Sequence, residues 1–210
     1  MPLRSLATLL APPVCAGCGG HAGGAEPLCA ACRRELRWLT GTTEAGGVAV
    51  FAPLAYEGPA RAMVRALKFR GATLAAGAMA AQIAAAAPAG VLHRGALVPV
   101  PLHPRRLRRR GFNQAERLAT ALGLRTGLGV RDCLCRRGAA RTQVGRDRTE
   151  RLEGVHGTVA VVPGAELPRR AILVDDVVTT GATLAACAAA LHATGVADVV
   201  AVAYARTPGR

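Results

Sequence analysis

Two stretches of the sequence set reactive side chains at spacings that chemistry can use. The first is Cys15-Ala-Gly-Cys18, followed ten residues later by Cys29-Ala-Ala-Cys32. A C-x-x-C turn aims two thiolates at one point. Two such turns complete a tetrahedron, the closed geometry of structural zinc. Four sulfurs leave no open coordination position, so the expected role is structural. So short a segment builds little core, and metal would supply its folding free energy. Rubredoxin-like iron is the rival ion, and His21 could enter the set only by displacing a cysteine. The second stretch is Ile172-Leu-Val-Asp175-Asp176-Val177-Val178-Thr179-Thr180-Gly181-Ala182-Thr183-Leu184. It reads as an apolar strand running into two carboxylates, then a hydroxyl-rich turn, then a helix. Backbone N–H groups at such a turn and helix start carry positive partial charge and suit a phosphate. Gly181 is expected to let the backbone approach that phosphate, and Thr179, Thr180 and Thr183 to add hydroxyl donors. Asp175 and Asp176 repel phosphate and suit ribose hydroxyls. The bland alternative is an acidic turn that only caps a helix. The string is not a Walker loop, which needs G-x-x-x-x-G-K-[ST].

Cations cluster elsewhere. His103-Pro-Arg105-Arg106-Leu-Arg108-Arg109-Arg110 follows an apolar run. Three readings stay open for it: a solvated basic loop, a loop facing a pyrophosphate that arginine grips bidentately, and a contact with a DNA backbone. Lys68 is the single lysine among 27 basic residues. It could reach a phosphate or simply favour a helix C-terminus.

The net charge is +14 at neutral pH, which attracts polyanions. Part of that charge reflects a compositional bias towards Ala, Gly, Arg and Pro. With three Phe, two Tyr and one Trp, a base-stacking groove is not expected, and any DNA binding should be led by phosphates and indifferent to sequence. Ser5 is the only serine, which excludes a serine hydrolase. No stretch reads as a membrane span; Ala72 to Leu92 is alanine-dominated and interrupted by Pro88 and Gly90. Seven cysteines without a targeting segment imply a reducing cytoplasm, with metal and core roles rather than disulfides. Cys133, Cys135 and Cys187 are expected in the core.

These groups must be positioned by a fold, and the pattern predicts one. Residues 1–40 hold the four-cysteine ribbon, Gly41 to Gly47 a linker, and 48–210 an α/β domain. Strand segments are expected at Val48–Tyr56, Ala96–Val100, Val130–Cys135, Thr158–Val162, Ala171–Val174 and Asp198–Tyr204. Helices are expected at Pro59–Phe69, Ala72–Ala87, Asn113–Leu122 with Asn113 as cap, and Ala182–Ala193. Arg141 to Gly154 reads as polar loop or a short surface helix. Strands alternating with helices imply a mainly parallel sheet flanked by helices. Ligands then bind at the carboxyl ends of the strands.

Leu173 to Thr183 resembles the ribose-phosphate loop of type I phosphoribosyltransferases. The resemblance implies that Asp175 and Asp176 hold the ribose 2′- and 3′-hydroxyls of phosphoribosyl pyrophosphate. It also implies that residues 179–183 cradle the 5′-phosphate, and that Mg²⁺ bridges pyrophosphate and ribose oxygens. Further motifs resemble the ComF family of competence-associated proteins: Val98-Pro-Val-Pro-Leu-His103, Arg109-Arg110-Gly-Phe112-Asn113-Gln114, Tyr56-Glu-Gly58 with Leu67-Lys68-Phe69-Arg-Gly71, and the cysteine knuckles after Leu9-Leu10-Ala-Pro. The family pattern departs near Arg151, Gly154 and Val159, while Gln143 is kept. The first resemblance implies pentosyl transfer to an unnamed acceptor; the same loop could also serve nucleotide sensing without turnover. The second implies handling of incoming single-stranded DNA beside a helicase-like partner.

Overall fold

A computed structural model describes residues 14–23, 26–69, 72–136 and 159–208. The expectations for 137–158, including Gln143 and the whole polar stretch from Arg141 to Gly154, lie outside those residues. At the centre is β7 (Arg170–Val178), in which alternate side chains enter opposite cores. Ile172 and Val174 enter one, Ala171 and Leu173 the other. A strand buried on both faces needs no polar side, which is why its first half reads as a continuous apolar run.

β7 pairs in parallel with β8 (Asp198–Arg206) on one side and β4 (Ala96–Pro99) on the other. Beyond β8 lie β2 (Val48–Phe51) and β3 (Leu54–Ala55), both parallel to it. β1 (Thr42–Ala45) runs antiparallel to β2 and closes the six-stranded sheet. β5 (Leu134–Arg136) and β6 (Val159–Val161) form a separate antiparallel pair.

One face is covered by α2 (Gly58–Leu67), α3 (Ala72–Ala86) and α5 (Gln114–Thr126), the other by α6 (Ala182–His192) with β5 and β6. α2 buries Ala60, Met63, Val64 and Leu67, the i, i+3, i+4, i+7 stripe of an amphipathic helix. Pro59 sits in its first turn, where a missing N–H costs nothing. Asn113 caps α5 as expected: its Oδ1 accepts from Ala115 N at 3.1 Å. Its Nδ2 also donates to Val100 O at 3.0 Å, pinning the helix start to the end of β4.

Four expectations change. The linker at Gly41 to Gly47 contains β1 and a tight turn, with Gly46 and Gly47 at φ 62° and 75°. β7 continues to Val178 instead of stopping at Val174, because β8 pairs with it as far as Arg206. Val130 makes only a bridge to Leu97 before the chain leaves to form β5. The basic segment is a helix, α4 (Pro104–Arg110), with Pro104 at its start and Gly111 in the left-handed conformation at its end.

The N-terminal ribbon, with α1 (Ala30–Arg34), shares the main core through Leu28 and Leu36. Leu39 N donates to Pro53 O and Ala55 N to Arg37 O, so the chain leaving the ribbon lies along β3. Among the described residues no helix is long and apolar enough to cross a membrane.

Candidate phosphate and metal sites

The carboxyl ends of β4 and β7 open into a cleft of about 530 Å³. It is lined by Asp175, Asp176, Thr179 and Thr183 together with Lys68, His103, Arg106, Arg110 and Arg136. β7 supplies the two aspartates as adjacent strand residues. Asp176 is buried, only 4% exposed, whereas Asp175 is partly open. Asp175 Oδ1 accepts from Asp176 N at 2.8 Å. Although part of its surface is open, the protein packed around the Asp175 carboxyl, then the Asp176 carboxylate beside it, push it well above the usual carboxylate range. Lys68 Nζ lies 2.8 Å from Asp176 Oδ2, an oxygen with no other polar partner among the described residues.

The helical form of the basic segment sorts its arginines. Arg106 and Arg110 are one turn apart and both face the cleft. Arg109 lines a neighbouring groove with Arg110, and Arg105 and Arg108 line neither. His103 caps the helix, its Nδ1 accepting from Arg105 N at 3.2 Å. Arg110 is held by Gln114 Oε1. Burial draws its guanidinium below the ordinary value, Asp176 opposing and Arg109 and Arg106 adding to the fall. The cations therefore stand where an anion would relieve their repulsion.

After Val178 the chain turns through Thr179, Thr180 and Gly181 into α6. Val177 and Val178 through Leu184 line a small hollow of about 40 Å³. The first N–H groups of α6 have no carbonyl within their own helix. Gly181 has φ 78°, and a Cβ there would lie 2.4 Å from the Ala45 carbonyl carbon. Its lack of a side chain thus answers to the β1–β2 turn packed against it, a reason different from the close phosphate approach expected of it.

At the other end of the chain, the four sulfurs of Cys15, Cys18, Cys29 and Cys32 lie within 4.8 Å of one another. Cys18 Sγ and Cys29 Sγ are 3.8 Å apart. Tetrahedral zinc with Zn–S of about 2.3 Å sets S···S at about 3.8 Å, so the donor set fits that ion. A Cβ on Gly17 would meet Cys32 Sγ at 2.8 Å, so only glycine closes the first knuckle. Burial raises the Cys15 thiol, but amide donors from Cys18, Cys29 and Gly17 outweigh it and bring it to about 6. Burial and the neighbouring sulfurs push Cys32 the other way. A dication would resolve that competition by taking all four as thiolates. His21 stands outside the cluster.

Residues 6–43 match the family described as a double zinc ribbon domain. Two competence proteins are similar in sequence. Competence protein ComFC of Streptococcus pneumoniae is 36% identical over 49% of this chain and 44% of its own length. Competence protein F of Haemophilus influenzae is 35% identical over 50% of this chain and 47% of its own. Over about half of its length the chain is homologous to these two competence proteins. The matched part spans about half the length of each relative. A solved structure described as the allosteric regulatory enzyme of purine biosynthesis aligns at 17% identity, TM-score 0.36, over 75% of this chain and 26% of that one. That likeness is too slight to carry weight.

Sequence reasoning named Asp175, Asp176, Thr179, Thr183, Lys68, Arg106 and Arg110, which the cleft brings together, and also Thr180, Arg105 and Arg109, which do not line it. It did not place Tyr56, His103, Gln114 or Arg136 at the cleft, although the first three stand within motifs already noted. Arg136 reaches the cleft only because β5 folds back, with its Nε donating to Pro101 O at 3.0 Å. No local signal carries that. Cys133 and Cys187 are buried as expected, and burial lifts the Cys187 thiol to about 12; Cys135 is half-buried.

Proposed function

We propose that the cleft binds phosphoribosyl pyrophosphate or a related phosphorylated ribose, in a phosphoribosyltransferase-like ComF protein associated with DNA uptake. The supporting observation is that one cleft is lined by an acidic pair, a hydroxyl turn and the cations Lys68, Arg106 and Arg110. Asp175 and Asp176 accept from the ribose hydroxyls, residues 179–183 take the 5′-phosphate, and the basic side chains take the pyrophosphate. In transfer, the C1–oxygen bond breaks with its electron pair leaving on pyrophosphate, and an acceptor nucleophile bonds to C1. The arginines stabilise that departing charge. Magnesium suits the two carboxylate oxygens together with phosphate oxygens, and when bound it supplies further neutralisation of the pyrophosphate.

The test is calorimetric titration with phosphoribosyl pyrophosphate and Mg²⁺. Ribose 5-phosphate should bind more weakly. Asp175→Asn with Asp176→Asn should weaken binding about 100-fold, since hydrogen bonds to charged groups are worth roughly 1.5–3 kcal/mol each. Equal affinity in that variant would remove the aspartates from the ribose site. Pyrophosphate release then separates transfer from sensing without turnover.

A second reading, handling of single-stranded DNA beside a helicase-like partner, is favoured by the exposed Arg105 and Arg108 on α4 and by homology to proteins named for competence. Its phosphate-led form predicts that affinity falls steeply with salt.

A further inference from the structure

Next to the acidic cleft lies a second groove, lined by Arg65, Lys68, Phe69, Arg109, Arg110 and Phe112. Two of the three phenylalanines of the chain meet there. Phe69 is 69% exposed, an unusual state for a ring that could have been used to fill an alanine-rich core. Phe112 is half-buried, and the Arg117 guanidinium packs over its ring at 4.0 Å, which fixes the ring. Lys68 and Arg110 belong to both the groove and the acidic cleft, so the two are continuous. The scarcity of aromatics argued against a stacking surface. The fold overrides that argument by bringing residues 69 and 112 together.

We propose that this groove is a stacking platform for single-stranded nucleic acid, with bases laid on Phe69 and Phe112 and backbone phosphates on Arg65 and Arg109. The inference deepens the strand-handling reading and supplies what phosphate contacts alone lack, a reason to prefer a single strand to a duplex. Four cations and two rings are the lining, and no side chain in it can accept a hydrogen bond from a base edge. Such a surface takes any base by its π-face, the pattern of sequence-tolerant strand binders. It does not suit a free base, which needs an enclosing pocket and groups that read its edge. Because Lys68 and Arg110 are shared, a strand and a phosphoribosyl ligand compete for the same cations.

The experiment is fluorescence anisotropy of a labelled thymidine oligomer with the full chain, in parallel with an abasic oligomer of equal length, the matching duplex and free thymidine monophosphate. The thymidine oligomer should bind at least ten-fold more tightly than the abasic one. Phe69→Ala and Phe112→Ala should each remove roughly ten-fold or more. Phe69→Trp should bind as well as the wild type, and its indole emission should be quenched by the oligomer. Phe69→Ala should leave the melting midpoint and the phosphoribosyl pyrophosphate titration unchanged, showing that the fold and the neighbouring cleft are intact. Equal affinity for the abasic oligomer, unchanged affinity in both alanine variants, or tighter binding of the free nucleotide than of the strand would each overturn the platform. The strand arms need no phosphoribosyl ligand, so failure of the ribose reading would leave them standing, and the reverse holds too.

Discussion

The ammonium of Lys68 sits 2.8 Å from the buried Oδ2 of Asp176 and ties the end of α2 to the last turns of β7. In a chain that uses arginine at almost every basic position, this is a site for a compact point charge rather than a planar fork. Lys68→Met leaves a buried carboxylate uncompensated. It should cost about 1–3 kcal/mol, less than a fully buried pair would because Lys68 keeps some solvent. Urea titration reads the loss. Adding Asp176→Asn should restore most of it, and a double variant no better than Lys68→Met alone would show that the pair is not what stabilises this corner.

Asp175 predicts a pH dependence of opposite sense to the usual carboxylate. Its folded-state pKa is raised by burial and by Asp176, so the folded state binds its proton more tightly than the unfolded chain does. Stability from this residue is full below the ordinary carboxylate value of about 3.9 and falls as pH rises through the folded pKa. Asp175→Asn should therefore raise the melting midpoint at neutral pH and flatten that fall, while weakening the ribose ligand. A lower midpoint at neutral pH would reverse the sign of the argument.

How much of this was legible beforehand depended on how local the cause was. The cysteine knuckles, the Asn113 cap and the apolar run into Asp175 are local patterns; the cap forms where expected, and the apolar run forms a strand that passes its expected end and continues to Val178. The basic segment is expected as a loop, whereas His103, Pro104 and Gly111 are start and stop signals that favour a helix. The sorting of Arg106 and Arg110 from Arg105 and Arg108 follows only once that helix exists. Arg136 enters the cleft through a strand pairing between segments far apart in sequence, and periodicity has no access to that.

The sorting on α4 can be measured. Arg110→Gln should weaken phosphoribosyl pyrophosphate roughly ten-fold or more, the worth of one charge-assisted contact. Arg105→Gln with Arg108→Gln should leave it within about two-fold, since exposed charges contribute little. Titration calorimetry at one ionic strength compares them, and equal effects would mean that helix geometry does not select the ligands.

Gly181→Ala tests the packing of the hydroxyl turn. The added methyl meets the Ala45 backbone and the φ of 78° is strained for any side chain, at a cost of about 1–3 kcal/mol before any clash. Stability should fall and ribose 5-phosphate affinity with it, because the turn must shift. Unchanged values of both would show that the β1–β2 turn yields freely.

Metal content tests the ribbon. Protein purified without added metal should carry about one zinc, and Cys32→Ser should lose it. Because Leu28 and Leu36 belong to the main core, the melting midpoint should drop by about 5 °C or more, taking ~2–4 °C per kcal/mol at this size. Trp38, which bridges to Leu54, reports the change by its emission. A metal-free ribbon with an unaltered midpoint would exclude a structural ion.

The order of strands in the sheet sets a timetable for synthesis. β2 and β3 leave the ribosome early, yet their parallel partner β8 begins only at Asp198. The four clustered cysteines are all made by residue 32. Until residues 198–206 are made, at roughly 5–20 residues per second, the nascent chain carries an open strand edge. A stalled or trimmed product would aggregate through that edge. Tyr204, fully buried with its hydroxyl on Gln82 at 2.8 Å, is the stitch that ends the exposure.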